Sequence, residues 1–223
     1  MAIFIDSSNV AEVEEIVRWG IISGATTNPK IICQDGICGD LKPVIMRIIE
    51  LVKGPVSVEV TEEKFDGMIA QAKAFSAWDP EHIVIKVPIS QDGLKVVNVL
   101  ENELGIATNV TCMMSLNQAY LAALAGATYV SIFFGRIKDM GYDPQQVISD
   151  TREMLDQEEL KARIITGSIR HFMDVNEALL AGAHIVTVTP PILKKMTWNP
   201  ASESTIEEFN KIWREMKAKG QIR

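Results

Sequence analysis

The chain has 223 residues, 47% of them hydrophobic, with a formal net charge of −7 and a pI near 5.1. That is ample apolar material for one large core, and α/β barrels of this size are usually single domains. Lysine and arginine form no basic stripe, which argues against nucleic acid or an anionic membrane as the main partner.

The opening Met1-Ala2-Ile3-Phe4-Ile5-Asp6 has no basic start and no long apolar run, so no secretory signal is expected. Ile3–Asp6 reads as a first strand, closed by a carboxylate that either serves chemistry or caps the following helix. That helix spans Asn9–Trp19, with Asn9 as N-cap and Gly20 where it ends. A second strand, Gly24–Asn28, runs into Thr26-Thr27-Asn28-Pro29, whose last two residues are also ordinary turn chemistry.

After a helix at Lys42–Val52 comes the strand Val56–Val60, in which Glu59 stands between two valines and needs a partner. A helix at Glu63–Ala77 leads to Ile83–Pro88, an apolar run with Lys86 in its middle. An amine inside such a strand is costly unless paired, and burial tends to make it a Schiff-base nucleophile. Two bland alternatives stand beside that reading: a lysine snorkelling from the strand end, and a structural ion pair with Glu59.

A helix at Asp92–Glu103 precedes a stretch, Leu104 to Gly135, without any charged residue. A membrane span needs about 20 consecutive apolar residues, and Asn109, Ser115, Asn117, Gln118, Gly126 and Thr128 interrupt this one. It divides instead into the strand Ile106–Thr111, a helix from Ser115 (its N-cap) to Ala125, and the strand Tyr129–Phe133. The uncharged outer face of that helix suggests cover by another subunit. Asn109 and Thr111 close the fifth strand, Ser131 and Phe133 the sixth, and Arg136 follows directly.

Arg163–Ser168 is a seventh strand, continuing into Ser168-Ile169-Arg170; Ile185–Thr189 is an eighth, with Gly182 before it and Pro190-Pro191 after it. Ser204 to Lys217 is left over as a helix with Ile206, Phe209, Ile212, Trp213 and Met216 on one face. It either caps the barrel or packs on a neighbouring subunit.

Eight strand–helix units in one chain of this length favour a closed (β/α)8 TIM barrel over an open doubly wound sheet. The expected domain is residues 1–223, with about 203–217 as an additional C-terminal helix. No Gly-x-Gly-x-x-Gly or Walker-type loop follows a strand, so nucleotide binding lacks its signature. Three cysteines (Cys33, Cys38, Cys112) and three histidines (His82, His171, His184) are scattered without ligand spacing. They point to a reducing cytoplasm and to no metal site.

Barrel active sites gather at the C-terminal strand ends. Collected there are an amine, two carboxylates, amides, hydroxyls, and two arginines with Ser168 that suit a phosphate. This is the inventory of a sugar-phosphate aldolase.

Gly24-Ala25-Thr26-Thr27-Asn28-Pro29, Val58-Glu59-Val60, Ile85-Lys86-Val87-Pro88, Ala125-Gly126-Ala127-Thr128-Tyr129-Val130-Ser131 and Phe134-Gly135-Arg136-Ile137 together resemble the small transaldolases and fructose-6-phosphate aldolases. The resemblance runs from Phe4-Ile5-Asp6 to the terminal helix. It implies a barrel with the Schiff-base lysine at Lys86 and no metal or organic cofactor. Asp6 would handle the proton of the C4 hydroxyl, and Glu59, Asn109 and Thr111 would hold the proton-transferring water. Thr27, Asn28 and Ser131 would line the dihydroxyacetone pocket, while Arg136, Ser168 and Arg170 would bind phosphate. The aldolase branch resembles Gln at position 59 and Tyr at 133; Glu59 and Phe133 fit the transaldolase pattern of the pentose phosphate pathway. Ala25 departs from the more usual Val, which should alter packing alone. A homo-oligomer, decamer or pentamer, is expected by the same resemblance. Free dihydroxyacetone release is the alternative activity, and an isomerase or epimerase barrel without Schiff-base chemistry is a third.

Overall fold

The apolar runs pair in parallel around a closed ring. In the computed structural model, which describes residues 1–222, eight strands follow one another in sequence order and the eighth pairs with the first. The fold is a (β/α)8 TIM barrel with an extra C-terminal helix; Arg223, the last residue of the expected domain, lies outside the described residues.

The strands are β1 (Ala2–Asp6), β2 (Ile22–Thr26), β3 (Val56–Glu59), β4 (Ile83–Pro88), β5 (Thr108–Met113), β6 (Tyr129–Phe133), β7 (Arg163–Gly167) and β8 (Ile185–Val188). The first helices are α1 (Val10–Val17), α2 (Pro29–Gln34), α3 (Lys42–Val52), α4 (Phe65–Ser76) and α5 (Gln91–Asn98), the last continued by a π turn at Val99–Glu103. Then come α6 (Leu116–Leu124), α7 (Phe134–Asp139), α8 (Pro144–Gln157), α9 (Phe172–Leu180), α10 (Pro190–Met196) and α11 (Pro200–Ala218).

Local chemistry sets the boundaries. Asn9 caps α1 by accepting from the amides of Ala11 and Glu12. Ser115 occupies the N-cap position of α6, but its side chain makes no capping bond; Gln118 instead accepts from the Met114 amide nearby. Pro190 and Pro191 open α10, where the first turn needs no amide donor, which accounts for that dipeptide. β2 ends two residues before the expected Asn28, because Asn28 turns to cap α2 through the Ile31 amide at 2.9 Å. β5 starts at Thr108 rather than Ile106. There the Glu101 carboxylate on the π turn accepts from the amides and hydroxyls of both Thr108 and Thr128, tying the entrances of β5 and β6.

Strand alternation divides the barrel interior into layers. Phe4, Val84, Tyr129, Ile165 and Ile185, with Ala2 and Ala107, form an apolar plug. Phe4 meets Tyr129 edge to face at 6.4 Å, and its ring fills the space that a side chain at Gly24 would need. One inward step further along the same strands stand Asp6, Lys86, Asn109, Ser131, Gly167 and Thr187. The second, larger core lies between the ring and its helices.

The helix α6 buries Ala119, Ala122 and Ala123 and leaves Leu121 and Leu124 exposed. Helix α11 has no buried residue, and Ile206, Phe209, Ile212 and Trp213 are all exposed. It therefore does not cap this barrel. No helix among the described residues is long and apolar enough to cross a membrane.

Candidate active site

The polar layer opens into a cavity of about 500 Å³ at the C-terminal strand ends. Lys86 is at its base, 5% exposed, and not snorkelling to solvent. Glu59 and Lys86 are paired in the β3–β4 register, so both side chains point inward and their charged ends meet at 3.1 Å. The Lys86 ammonium also donates to the Thr27 carbonyl at 3.2 Å.

Asp6 stands in the same cavity at the end of β1. The Thr26 hydroxyl donates to it at 2.7 Å, and the Thr187 hydroxyl is 2.5 Å from Thr26. Since Thr26 has a single proton, committed to Asp6, the Thr187 hydroxyl is the donor in the second bond. Burial pushes the Asp6 carboxyl up; Lys86 and the Thr26 bond pull it partly back, and the charges of Asp35 and Glu59 add to the rise. Asp6 therefore does not cap α1, a task Asn9 performs.

Asn109 belongs to this layer but does not border the cavity; it is fully buried, donating to Ser57 at 3.1 Å and accepting from Ser131 at 2.7 Å. It thereby joins β3, β5 and β6. The Thr111 hydroxyl is buried without a hydrogen-bond partner among the described residues. Thr27 differs from expectation: its hydroxyl donates to the Ser57 carbonyl at 2.8 Å and its side chain does not border the cavity. What it offers the site is its backbone carbonyl. Asn28 does border the cavity, with its side-chain oxygen engaged in capping α2.

Ser131, Phe133, Arg136, Ser168 and Arg170 all line the cavity. Gly135 brings the last two close: it donates to the Ser168 carbonyl at 3.0 Å, and a Cβ there would lie 2.4 Å from that oxygen. Ser168, just after β7, takes φ of +59°, and Cys112 on β5 takes +62°, both in the left-handed region. Strain of this kind is common at functional sites. Arg170 is not a free cation, for both its terminal nitrogens bind the two oxygens of Asp139. Arg136 forms no ion pair among the described residues.

The expected residues do not include Thr26, Lys30, Gln34, Cys112 or Thr187, which also border the cavity. Lys30 and Gln34 ride on α2, whose presence after a proline-marked turn carries no apolar periodicity to reveal it. Cys112 is brought inward by the irregular pairing between Val110 and Met113. Burial, and then the Glu59 charge, push its thiol up, so it is held as a poor nucleophile. Among the described residues no group of His, Cys, Asp and Glu is arranged to hold a metal ion.

A family profile described as transaldolase/fructose-6-phosphate aldolase matches residues 3–222. Relatives from Streptococcus pyogenes serotype M5 (strain Manfredo) and serotype M1, each named "Probable transaldolase", are 40% identical over 217 residues. The match covers 97% of this chain and 100% of each relative.

Proposed function

We propose, from the premise that this chain belongs to the transaldolase/fructose-6-phosphate aldolase family, that it is a transaldolase working through a Schiff base on Lys86. The observation that carries this reading is the burial of Lys86 in a cavity it shares with Asp6 and Glu59. A buried amine with a carboxylate 3.1 Å away has an acceptor for the proton it must shed before attack.

Neutral Lys86 adds to C2 of a ketose phosphate, and loss of water gives the iminium. Asp6 takes the proton of the C4 hydroxyl, the C3–C4 bond breaks, and its electron pair enters the iminium to leave an enamine. An aldehyde phosphate departs. A second aldehyde phosphate is attacked by the enamine carbon, Asp6 returns the proton to the new hydroxyl, and water releases the product ketose. Glu59, with the buried Thr111 hydroxyl and Asn109, serves the water steps. Asn28 and Ser131, with the backbone carbonyl of Thr27, border the dihydroxyacetone unit; Arg136, Ser168 and Arg170 bind the phosphate.

Fructose 6-phosphate or sedoheptulose 7-phosphate is the donor in this reading, and erythrose 4-phosphate or glyceraldehyde 3-phosphate the acceptor, as in the pentose phosphate pathway. No cofactor is required, since the iminium itself withdraws the electrons. Phe133 presents a ring without a hydroxyl at the cavity, which favours transfer over release of free dihydroxyacetone. We place the protein in the cytoplasm, where its exposed free cysteines stay reduced. The exposed apolar faces of α11 and α6 support a homo-oligomer, pentamer or decamer, and light scattering at a monomer mass would remove that assignment.

Borohydride reduction in the presence of fructose 6-phosphate, followed by peptide mass spectrometry, tests the mechanism. A three-carbon adduct on Lys86 is expected. The Glu59–Lys86 ion pair favours one second reading, an isomerase or epimerase in which the pair is structural, and absence of the adduct would leave that reading standing. Product formation that requires erythrose 4-phosphate separates transfer from simple cleavage.

A further inference from the structure

Helix α2 is a wall of the cavity with little holding it in place. It has six residues and no buried side chain, yet Asn28 at its cap and Pro29, Lys30, Ile31 and Gln34 within it all border the cavity. An element so lightly packed is expected to sample open positions unless polar contacts fix it. Its own start is fixed by the Asn28 cap. At its other end Asp35 reaches across to the loop after β1, where one carboxylate oxygen accepts from both the amide of Ser8 at 2.9 Å and the Ser8 hydroxyl at 2.7 Å.

Ser8 is 1% exposed and follows Asp6 by two residues, so it is a fixed anchor beside the reacting layer. Beyond Asp35 the chain runs through Gly36 and Gly39, both in the left-handed region, to the start of α3. Those glycines form an exposed, pliant connection that transmits little restraint to α2. The Ser8–Asp35 contact is thus the long-range tie at the far end of α2. Charge-assisted bonds of this length are the stronger kind, and two share the same acceptor oxygen. Asp35 is also close enough that, after burial, its charge contributes to the upward push on Asp6.

We propose that Asp35 is a positioning residue for substrate binding: by gripping Ser8 it sets α2 at the height where Asn28 and Lys30 meet the sugar phosphate. The inference rests on the cavity being the substrate site of the reaction derived above. Asp35 itself does not border that cavity, so its effect passes through α2. Lys30 adds a cation to the rim on α2, while Arg136 follows β6; in an eight-stranded ring β2 and β6 lie opposite each other. Loss of the tie therefore removes binding contacts from one side of the cavity and leaves the Lys86 chemistry in place.

The test measures KM and kcat for fructose 6-phosphate with erythrose 4-phosphate, together with amide hydrogen exchange over residues 29–34, in Asp35→Ala, Asp35→Asn and Ser8→Ala. Asp35→Ala is expected to raise KM on the order of tenfold with kcat within about twofold, the pattern of lost uniform binding. Exchange in α2 should quicken in the same variant. Asp35→Asn keeps an acceptor oxygen for both Ser8 donors and should restore KM close to that of the unsubstituted protein. Ser8→Ala retains the amide donor and should fall between, which keeps the tie measurable if Asp35→Ala folds poorly.

A KM unchanged in Asp35→Ala, unchanged α2 exchange, or Asp35→Asn as impaired as Asp35→Ala would each overturn the proposal. Hydrogen exchange reads the tie independently of turnover. Failure to trap an adduct on Lys86 in the unsubstituted protein would instead sink the Schiff-base reading, and the two failures remain distinguishable.

Discussion

Glu59 and Lys86 are neighbours across β3 and β4, joined by strand register and by a 3.1 Å contact between their charged ends. Their separation in the chain is bridged entirely by the barrel. A buried pair of this kind contributes little net stability, because desolvation offsets most of the attraction. In the proposed reaction its value is a nearby acceptor for the lysine proton.

Glu59→Gln tests that use. The amide oxygen still receives a bond from Lys86 but no longer takes its proton or activates water. Turnover should fall by roughly 10²–10⁴, the range for losing a positioned acid or base. The Lys86 adduct should still form on prolonged incubation with fructose 6-phosphate, read by mass spectrometry after borohydride. Turnover within a few-fold of the unsubstituted enzyme would dismiss Glu59 from the proton transfers.

Asp6 offers a stability measurement as well as an activity one. Its carboxyl is held above the ordinary value of 3.8, chiefly by burial, so the folded chain binds that proton more tightly than the unfolded chain. Ionised Asp6 therefore costs stability. The cost is absent below the unfolded value and complete once pH exceeds the raised folded one. Asp6→Asn keeps an acceptor for Thr26 and removes the charge. Its melting temperature should exceed that of the unsubstituted protein near neutral pH, and the gap should close as pH falls toward about 4. Carbon–carbon cleavage should drop by roughly 10²–10⁴ in the same variant. A melting difference that is constant with pH would refute the assignment of the cost to this carboxylate.

Asp139 holds Arg170, which the proposed reaction uses to bind phosphate. Both guanidinium ends bind Asp139, and both side chains are about half exposed, so the pair is screened and modest. Asp139→Asn frees Arg170 and removes a negative charge next to the bound phosphate. KM for fructose 6-phosphate should fall about two- to fivefold, matching the energy of an exposed pair. An unphosphorylated ketose serves as control and should be unaffected. A rise in KM for the phosphate ester would mean that Asp139 holds Arg170 in its binding pose.

Phe133 borders the cavity at the end of β6, beside its strand partner Gly167 on β7. A hydroxyl at the ring's far end would sit within the cavity and order water for protonating the enamine. Phe133→Tyr should therefore raise release of free dihydroxyacetone, without acceptor, on the order of tenfold. Enzymatic reduction of dihydroxyacetone provides the assay. No increase would remove position 133 as the branch point between transfer and release.

Periodicity in the chain was sufficient for the barrel. Short apolar runs alternating with helical stretches admit few closed arrangements, and each inward step is set by strand pleating. That is why Asp6, Glu59, Lys86, Ser131 and Phe133 are legible in the sequence as facing one cavity: strand position alone decides which side of the sheet a residue occupies. The family resemblance implies roles for these positions, which their chemistry already sets apart.

Tertiary structure decided what depends on loops and on contacts distant in sequence. Thr27 sits one residue beyond β2, where alternation no longer governs direction, and its hydroxyl turns to Ser57. Arg170 is claimed by Asp139, 31 residues earlier, and Asp35 by Ser8, 27 residues earlier. The left-handed backbone at Ser168 and Cys112 aims both residues into the mouth without a glycine to announce it. Strand pleating is a local repeat that one sequence can display; these contacts arise only after the ring closes and brings separate loops to the same rim.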